Sequence, residues 1–208
     1  MSLIESVREW LEDRRVRKLL HATPAHSLGA LPENTFGRVA GVARPLGQRV
    51  LEAPLSGRSC LYYSIALVEL RPNNFLRRLA TEQESVPFLL EDGTGRALID
   101  PEHARFSCAF DHESESKAAF DASVRQRALL ERHSLVRRNW FGTDAIRYRE
   151  AVIAVDERIT VLGAGTRELD PATPRGLEQG YREGGPTRMR FTGTAKYPLT
   201  LSDDPRSL

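Results

Sequence analysis

The stretch "EAPLSGRSCLYYSIALVEL", residues 52–70, joins a turn-like segment to a strand-like one and places a cysteine beside two tyrosines. Pro54 cannot donate to a strand ladder and Gly57 permits turn geometry, so a turn is predicted before the strand. From Cys60 onward apolar residues fall on both alternating faces, which predicts a long central strand covered on both sides. Cys60 and the two tyrosines are therefore interpreted as core packing.

The two cysteines, Cys60 and Cys108, both lie in apolar, strand-like surroundings. A free cysteine in such surroundings behaves as a small hydrophobic residue, and a disulfide between the two is the alternative. An enzyme that uses Cys60 as nucleophile stays a further interpretation, because the partners of a catalytic thiol can be remote in sequence.

Motifs for cofactor chemistry are missing from the sequence. Neither "EDGTG" nor "LGAG" has the spacing of a phosphate-binding or dinucleotide-binding loop, and a Gly-X-Ser-X-Gly elbow is absent. On a strand, His103, Cys108 and His112 would lie on different faces or too far apart to share one metal ion. We therefore expect no cofactor, no metal and no catalytic residue.

Charge and hydropathy exclude several classes of protein. The 208 residues include 30 basic and 28 acidic ones, and the net charge of +2 is too balanced to predict a nucleic-acid partner by itself. Charged residues interrupt the N-terminus, so no signal peptide is predicted, and no apolar run approaches the ~18 residues of a membrane span. The sequence predicts a soluble, cytoplasmic protein.

Two segments have helical periodicity. Ser2 and Glu5 form a capping-box pattern before regularly spaced apolar residues, which predicts an amphipathic helix over about residues 3–20. A run of 27 residues without Gly or Pro, from Glu113, predicts a long helix at about 114–135. Between and after these helices the pattern favours strands.

Strand signals recur from Arg38 onward. "RVAGVARPL" and "QRVLEAPL" predict a hairpin around Gly47, and "VPFLLEDGTGRALIDP" predicts another around Asp92–Gly95. Two more strands flank a turn at Asp156–Glu157, and a final strand lies near "MRFTGTAKY". This order predicts an α+β fold: a β-rich small barrel of short antiparallel strands, of which the OB-fold is one form, with an N-terminal helix and one long inserted helix.

The domain organisation follows from these elements. The N-terminal amphipathic helix occupies residues 1–22, and one domain occupies residues 23–205. That domain contains the helix at about 114–135 and a flexible insert at about 167–187, which is rich in Gly, Pro and Arg.

Arginines are concentrated between Arg125 and Arg149, close to Trp140. One interpretation is a solvated helix face whose charges are answered by nearby acids. The other is a binding surface for an anion or single-stranded nucleic acid, in which aromatic rings stack beside basic side chains. The candidate binding residues are Arg125, Arg132, Arg137, Arg138, Trp140 and Arg147.

Several segments resemble, in order, the blocks of the GIDE domain, the "beside a membrane" region of mitochondrial RING-type ubiquitin ligases that also occurs in prokaryotic proteins. The most specific are the "V-x-G-x-A" strand, "APLSG-x-x-C-x-YY", "PF-x-L-x-D-x-TG-x-A" and "Y-x-E" followed by "VLG". The resemblance covers most of residues 23–205. "AVDERITVLG" lacks the Pro-Gly-Asp turn of the family, and "DPATPRGLEQGYREGGPTR" lengthens the last connection.

The resemblance implies a recognition or scaffolding module, usually close to a membrane. In the ligases the activity belongs to a RING, which binds two zinc ions through about eight Cys and His ligands, and two cysteines cannot supply them. We therefore expect a non-catalytic module resembling the non-RING part of E3 ubiquitin ligases. Its expected partner is a protein, with peripheral membrane contact as a further expectation and anion or nucleic-acid binding as the alternative function.

Overall fold

The computed structural model describes residues 16, 18–71, 75–117, 121–136, 145–171 and 187–204. Strands make up 54% and helices 9% of the structure, so the predicted β-rich α+β class is confirmed. The elements run in this order: helix α1, with described residues 16 and 18–22; β1 Ala25–His26; β2 Gly37–Pro45; β3 Leu51–Glu52; β4 Ser59–Arg71; β5 Phe75–Ser85; β6 Phe88–Glu91; β7 Arg96–Asp100; β8 Arg105–Ser107; β9 His112–Ser116; α2 Val124–Arg132; β10 Ala145–Ala154; β11 Arg158–Gly163; β12 Gly165–Leu169; β13 Thr187–Thr192; β14 Thr200–Ser202.

The chain divides into two compact units, each built from separated segments. Unit 1 contains Val50–Ser85 and Cys108–Ala154, and unit 2 contains Val16–Arg49, Val86–Ser107 and Val155–Leu208. The boundaries predicted from sequence, 1–22 and 23–205, stay a prediction.

Unit 1 is a five-stranded antiparallel sheet with α2 beside it. β4 is its central strand and pairs with β10 along one edge and with β3 and β5 along the other, while β9 pairs with β10. Most of β4 is buried on both faces, as its sequence predicts. One core cluster joins Ile65 and Leu67 of β4 to Leu129 and Leu130 of α2. The sheet and helix therefore bury a common apolar layer.

Unit 2 is a nine-stranded mixed sheet. Its order is β12-β13-β7-β6-β2-β11-β14-β8, with β1 added beside β2. Most pairs are antiparallel, but β1 with β2, β13 with β7 and β14 with β8 are parallel. β6 and β7 form the hairpin predicted around Asp92–Gly95, with Gly93 at a φ of +84°. The pairing of β6 with β7 confirms the predicted hairpin, and its glycine supplies the conformation that a tight turn needs.

The hairpin predicted around Gly47 is wrong. Leu46 and Arg49 bridge across that glycine, but β2 pairs with β6 and β11, whereas β3 pairs with β4. β10 and β11 are strands on either side of Asp156, as predicted, yet they too pair with different partners. Strand pattern is local, whereas pairing depends on residues far away in the chain, so the strands could be predicted without their partners.

The helix predicted at about 114–135 is shorter in the structure. α2 spans Val124–Arg132 and begins with a capping box between Ser123 and Gln126, whereas His112–Ser116 forms β9. Glu113 and Glu115 of this strand form ion pairs with arginines of β10, the neighbouring strand, which favours strand pairing over helix. The prediction was therefore wrong for residues 114–116.

Two other predicted elements fall largely outside the described residues. Most of the N-terminal helix lies there, and α1 contains the part that is described. Of the insert at about 167–187, residues 172–186 lie outside, while the residues at its two ends belong to β12 and β13.

Candidate functional site: a cleft between helix α2 and the sheet of unit 1

A cleft of about 440 Å³ lies between α2 and the strands of unit 1. This volume is within the range of clefts that hold small ligands or a few side chains. Its lining mixes apolar and charged side chains from β3, the β3–β4 turn, β4, β5 and the full length of α2: Leu51, Glu52, Pro54, Tyr63, Glu84, Val124, Arg125, Ala128, Leu129 and Arg132.

Strand pairing and helix capping position this lining. Glu84 of β5 lies directly opposite Tyr63 of β4, and Leu51 of β3 lies opposite Cys60 on the same edge of β4. The capping box at Ser123 starts α2 so that Leu129 is buried while Val124 is 82% exposed. An exposed valine at the start of the helix leaves apolar surface available at the cleft.

Tyr63 supplies a buried hydroxyl to the cleft. It is 4% exposed, and its hydroxyl lies 2.9 Å from Glu82 Oε1 and 3.0 Å from Glu84 Oε2. Burial, followed by these hydrogen bonds to two carboxylates, raises the pKa of the Tyr63 phenol far above its ordinary value. The phenol is therefore protonated at neutral pH and acts as a hydrogen-bond donor, not as a base.

Glu82 and Glu84 differ in their cationic partners. Glu82 forms ion pairs with Arg132 and with His133, whose Nε2 lies 3.0 Å from Oε2. Burial opposes the charge of Glu82, but the hydrogen bond from Tyr63 and the positive charge of Arg132 outweigh it and lower the pKa of the carboxyl. Glu84 is exposed, and no basic side chain among the described residues forms an ion pair with it.

Arg125 attaches α2 to the turn that precedes β4. Its guanidinium donates to Glu52 Oε1 at 2.9 Å and to the Pro54 carbonyl oxygen at 3.5 Å. A Cβ added at Gly57, where φ is +73°, would lie 2.5 Å from Arg125 Nη2. Glycine therefore has two roles in this turn: it adopts the positive φ, and its lack of a side chain leaves space for the arginine.

The same turn is held from the other side by a buried carboxyl group. Glu150 of β10 is 0% exposed and accepts hydrogen bonds from the backbone N–H groups of Leu55, at 2.6 Å, and Ser56, at 3.0 Å. This contact joins "APLSG" to "Y-x-E", two of the motifs that carry the resemblance. We refer to Glu150 with Leu55 and Ser56 as the Glu150 latch.

Unit 2 contains a corresponding arrangement at the β6–β7 turn. Asp92 accepts from the backbone N–H of Leu28 at 2.6 Å and from the N–H groups of Thr94 and Gly95 in its own turn. The N–H of Gly29 donates to the Thr94 hydroxyl at 3.0 Å. Burial opposes the charge, but the bonds from Leu28, Thr94 and Gly95 prevail and lower the pKa of the Asp92 carboxyl. We refer to Asp92 with Leu28 as the Asp92 latch.

The structure places the predicted binding residues in different settings. Arg125 and Arg132 both line the cleft, each paired with a glutamate. Arg147 is paired with Glu115 of β9 and is not part of the lining. Arg137, Arg138 and Trp140 lie outside the described residues. Their role in binding stays a prediction.

Sequence reasoning missed the acidic side of the cleft. Glu82 and Glu84 alternate along β5, so both could have been placed on one face of a strand. Their approach to Tyr63 depends on the register between β4 and β5, which the intervening sequence does not reveal.

No disulfide joins Cys60 and Cys108, which excludes that alternative in this structure. Cys60 is 0% exposed, and burial, together with the negative charge of Glu150, raises the pKa of its thiol to about 11. A nucleophile needs an accessible thiolate. The geometry therefore supports core packing for Cys60 and gives no support to catalysis by it.

Metal sites and membrane-spanning helices are both absent from the described residues. Across the part of the chain that the structure describes, no group of three or more His, Cys, Asp or Glu side chains could hold a metal ion. Within the same residues, no helix has the length and hydropathy needed to cross a membrane.

The fold and cleft define a β-rich module with a mixed apolar and charged cleft. Residues 73–173, just under half of the chain, match the GIDE family, described as E3 Ubiquitin ligase, which confirms the resemblance and associates the module with ubiquitin ligases. Comparisons with curated proteins and with solved structures gave no match.

The matched segment depends structurally on residues that precede it. It contains Glu150 and Asp92, whereas the backbone groups that they bind belong to residues 55–56 and 28. Tyr63, the partner of Glu82 and Glu84, also precedes the match. A fragment limited to residues 73–173 would therefore lack at least one hydrogen-bond partner of each of these four carboxylates.

Proposed function

We propose that the protein is a non-catalytic recognition module that binds a segment of a protein partner in the cleft between α2 and β3–β5. The observation that carries this proposal is the lining of the cleft: apolar surface from Leu51, Pro54 and Val124 lies beside charged side chains from two strands and a helix. Such a combination is typical of sites in which apolar contacts supply affinity and a few polar groups fix orientation.

The state of the polar groups supports binding over catalysis. The Tyr63 phenol has a raised pKa, and Glu82 has a lowered one, so neither is suited to exchange protons near neutral pH. Cys60 is inaccessible. The association of the GIDE family with ubiquitin ligases fits a module that recruits a protein without acting on it chemically.

The test blocks the cleft without disturbing the core. Ala128 is exposed on α2 and lines the cleft, so Ala128→Trp should fill it, whereas Glu131→Trp places the same ring at an exposed α2 position outside the lining. Peptides selected on the wild-type protein from a phage-displayed random library should bind Glu131→Trp equally and lose at least about tenfold in affinity for Ala128→Trp. Equal binding to both variants would contradict the proposal.

Binding of an anion or single-stranded nucleic acid is the competing function. Arg125, Arg132 and Arg147 are each opposed by a glutamate, which reduces the positive charge that they offer to phosphate. A fluorescence titration with single-stranded oligonucleotide at about 50 mM salt, where phosphate contacts are strong, discriminates the two functions. Salt-sensitive binding that requires Arg132 but tolerates Ala128→Trp would favour the competing function.

A further inference from the structure

We infer that the cleft receives a cationic side chain, lysine or arginine, of the bound segment, and that the carboxylate of Glu84 is its recognition group. This inference deepens the proposed function and rests on it, because it specifies the chemistry of the segment.

Two carboxylates, Glu52 and Glu84, line the cleft, and a third, Glu82, contacts the lining residues Tyr63 and Arg132. Of the three, Glu52 and Glu82 have cationic partners. Glu52 pairs with Arg125, and Glu82 pairs with Arg132 and lies 3.0 Å from the ring nitrogen of His133. Glu84 accepts a hydrogen bond from Tyr63, and within the described ranges no lysine, arginine or histidine is paired with it. The unbalanced charge at the cleft is therefore negative and is located on Glu84.

The hydroxyl of Tyr63 does not neutralise Glu84. A phenol has one proton to donate, and here it faces two carboxylates, Glu82 at 2.9 Å and Glu84 at 3.0 Å. The proton is shared between two acceptors and adds no positive charge. Glu84 thus keeps both its net charge and unused acceptor capacity for a ligand.

The surroundings of Glu84 favour a long basic side chain over a small cation. The aliphatic stem of lysine or arginine can pack on apolar surface while its charged end reaches a carboxylate. Leu51, Pro54 and Val124 supply such surface in the same cleft. Charge-assisted hydrogen bonds to a carboxylate are about twice as strong as neutral ones.

The test uses N-acetyl-arginine amide and, as an uncharged isostere, N-acetyl-citrulline amide. Titration of the isotope-labelled full chain, followed by NMR, should show the arginine probe shifting the backbone amides of Glu84 and of residues 51–53 and 124–128. Citrulline should leave these signals in place at the same concentrations. Glu84→Gln should weaken arginine binding about tenfold or more.

Glu131→Gln is the matched control, since it removes one exposed carboxylate of the same unit outside the lining and should bind the arginine probe like wild type. The inference is overturned if citrulline binds as well as arginine, if Glu84→Gln binds arginine normally, or if arginine shifts no signal at the cleft. If one of these results is obtained while the selected peptides still lose affinity for Ala128→Trp, the inference of a cationic ligand is wrong and the proposed function stands. Peptides insensitive to Ala128→Trp contradict the proposed function itself.

Discussion

The Glu150 latch and the Asp92 latch use the same chemistry in different surroundings. In each, a carboxyl group accepts a 2.6 Å hydrogen bond from the backbone of a distant turn or loop. Glu150 is 0% exposed and projects from β10, and its contact with the N–H of Leu55 is buried, so water offers that N–H no alternative partner, whereas the contact with Ser56 is partly buried. Asp92 is half-buried, and most of its bonds stay within its own turn.

The difference shows that a motif residue can have either a long-range or a local structural role. Glu150 fixes a connection about 95 residues away along the chain, and the turn that it holds borders the cleft through Pro54. Asp92 mainly closes a hairpin that already has favourable turn residues, and it adds one bond to Leu28. Loss of the first carboxyl should therefore cost more than loss of the second.

The largest expected effect is that of Glu150→Ala. It leaves two backbone N–H groups unpaired, one of them in a buried contact, so the free energy of unfolding should fall by about 3 kcal/mol or more. Asp92→Ala should cost about 1–2 kcal/mol, because water can reach its local donors. Urea denaturation of both variants measures the two losses.

The order of these two losses is the decisive result. An equal or larger loss for Asp92→Ala would contradict the distinction between a buried latch and a half-buried one. Glu150→Gln provides the control for side-chain volume, since it keeps one oxygen acceptor and should be less destabilising than Glu150→Ala.

The contrast between local and distant contacts also explains what could be predicted from sequence. The β-rich class, the central strand from Cys60 and the hairpin at Asp92–Gly95 depend on side-chain alternation and turn residues, which are local properties. The hairpin around Gly47 was wrong because β2 pairs with β6 and β11, which follow much later in the chain, while β3 pairs with β4, the next strand.

The candidate site was harder to predict for the same reason. Arg125 and Arg132 were selected from a run of arginines, and the structure places both at the cleft. The glutamates that pair with them come from β3 and β5, about 73 and 50 residues earlier. Topology therefore decides whether an arginine is free or paired, and counting charges along a short stretch of sequence gives no information about topology.

Two glycines allow a second comparison between the turn before β4 and the β6–β7 turn. Gly57 and Gly93 have φ angles of +73° and +84°, so alanine at either should cost about 1 kcal/mol in backbone strain. A Cβ at Gly93 meets nothing within 4 Å, whereas one at Gly57 meets the guanidinium of Arg125. Gly57→Ala should therefore be the more destabilising by about 0.5 kcal/mol, the value of a partly exposed ion pair that must shift.

Unfolding of the two single variants in urea measures this difference. In an Arg125→Ala background the excess cost of Gly57→Ala should disappear, because the side chain that it displaces is already gone. Persistence of the full excess without Arg125 would mean that the turn backbone, and not the arginine, causes it.

The smallest expected effect is a change in pH dependence at the Asp92 latch. The folded-state pKa of Asp92 lies below its ordinary value of 3.8, so the fold favours the ionised carboxylate. Its contribution to stability is fully present above about pH 3.8 and is lost as the pH falls through the lower folded-state pKa. The stability difference between wild type and Asp92→Asn should therefore be constant near neutral pH and shrink on acidification below 3.8.

Thr94→Val gives this prediction an intermediate case. It removes the hydroxyl that donates to Asp92 Oδ1 at 2.8 Å but keeps the carboxylate and the backbone donors. Its loss of stability on acidification should be less steep than that of wild type and steeper than that of Asp92→Asn, as measured by thermal unfolding across the acid range. If all three chains lose stability in parallel, the hydrogen bonds to Asp92 are not coupled to folding, and the latch contributes through its geometry and not through its charge.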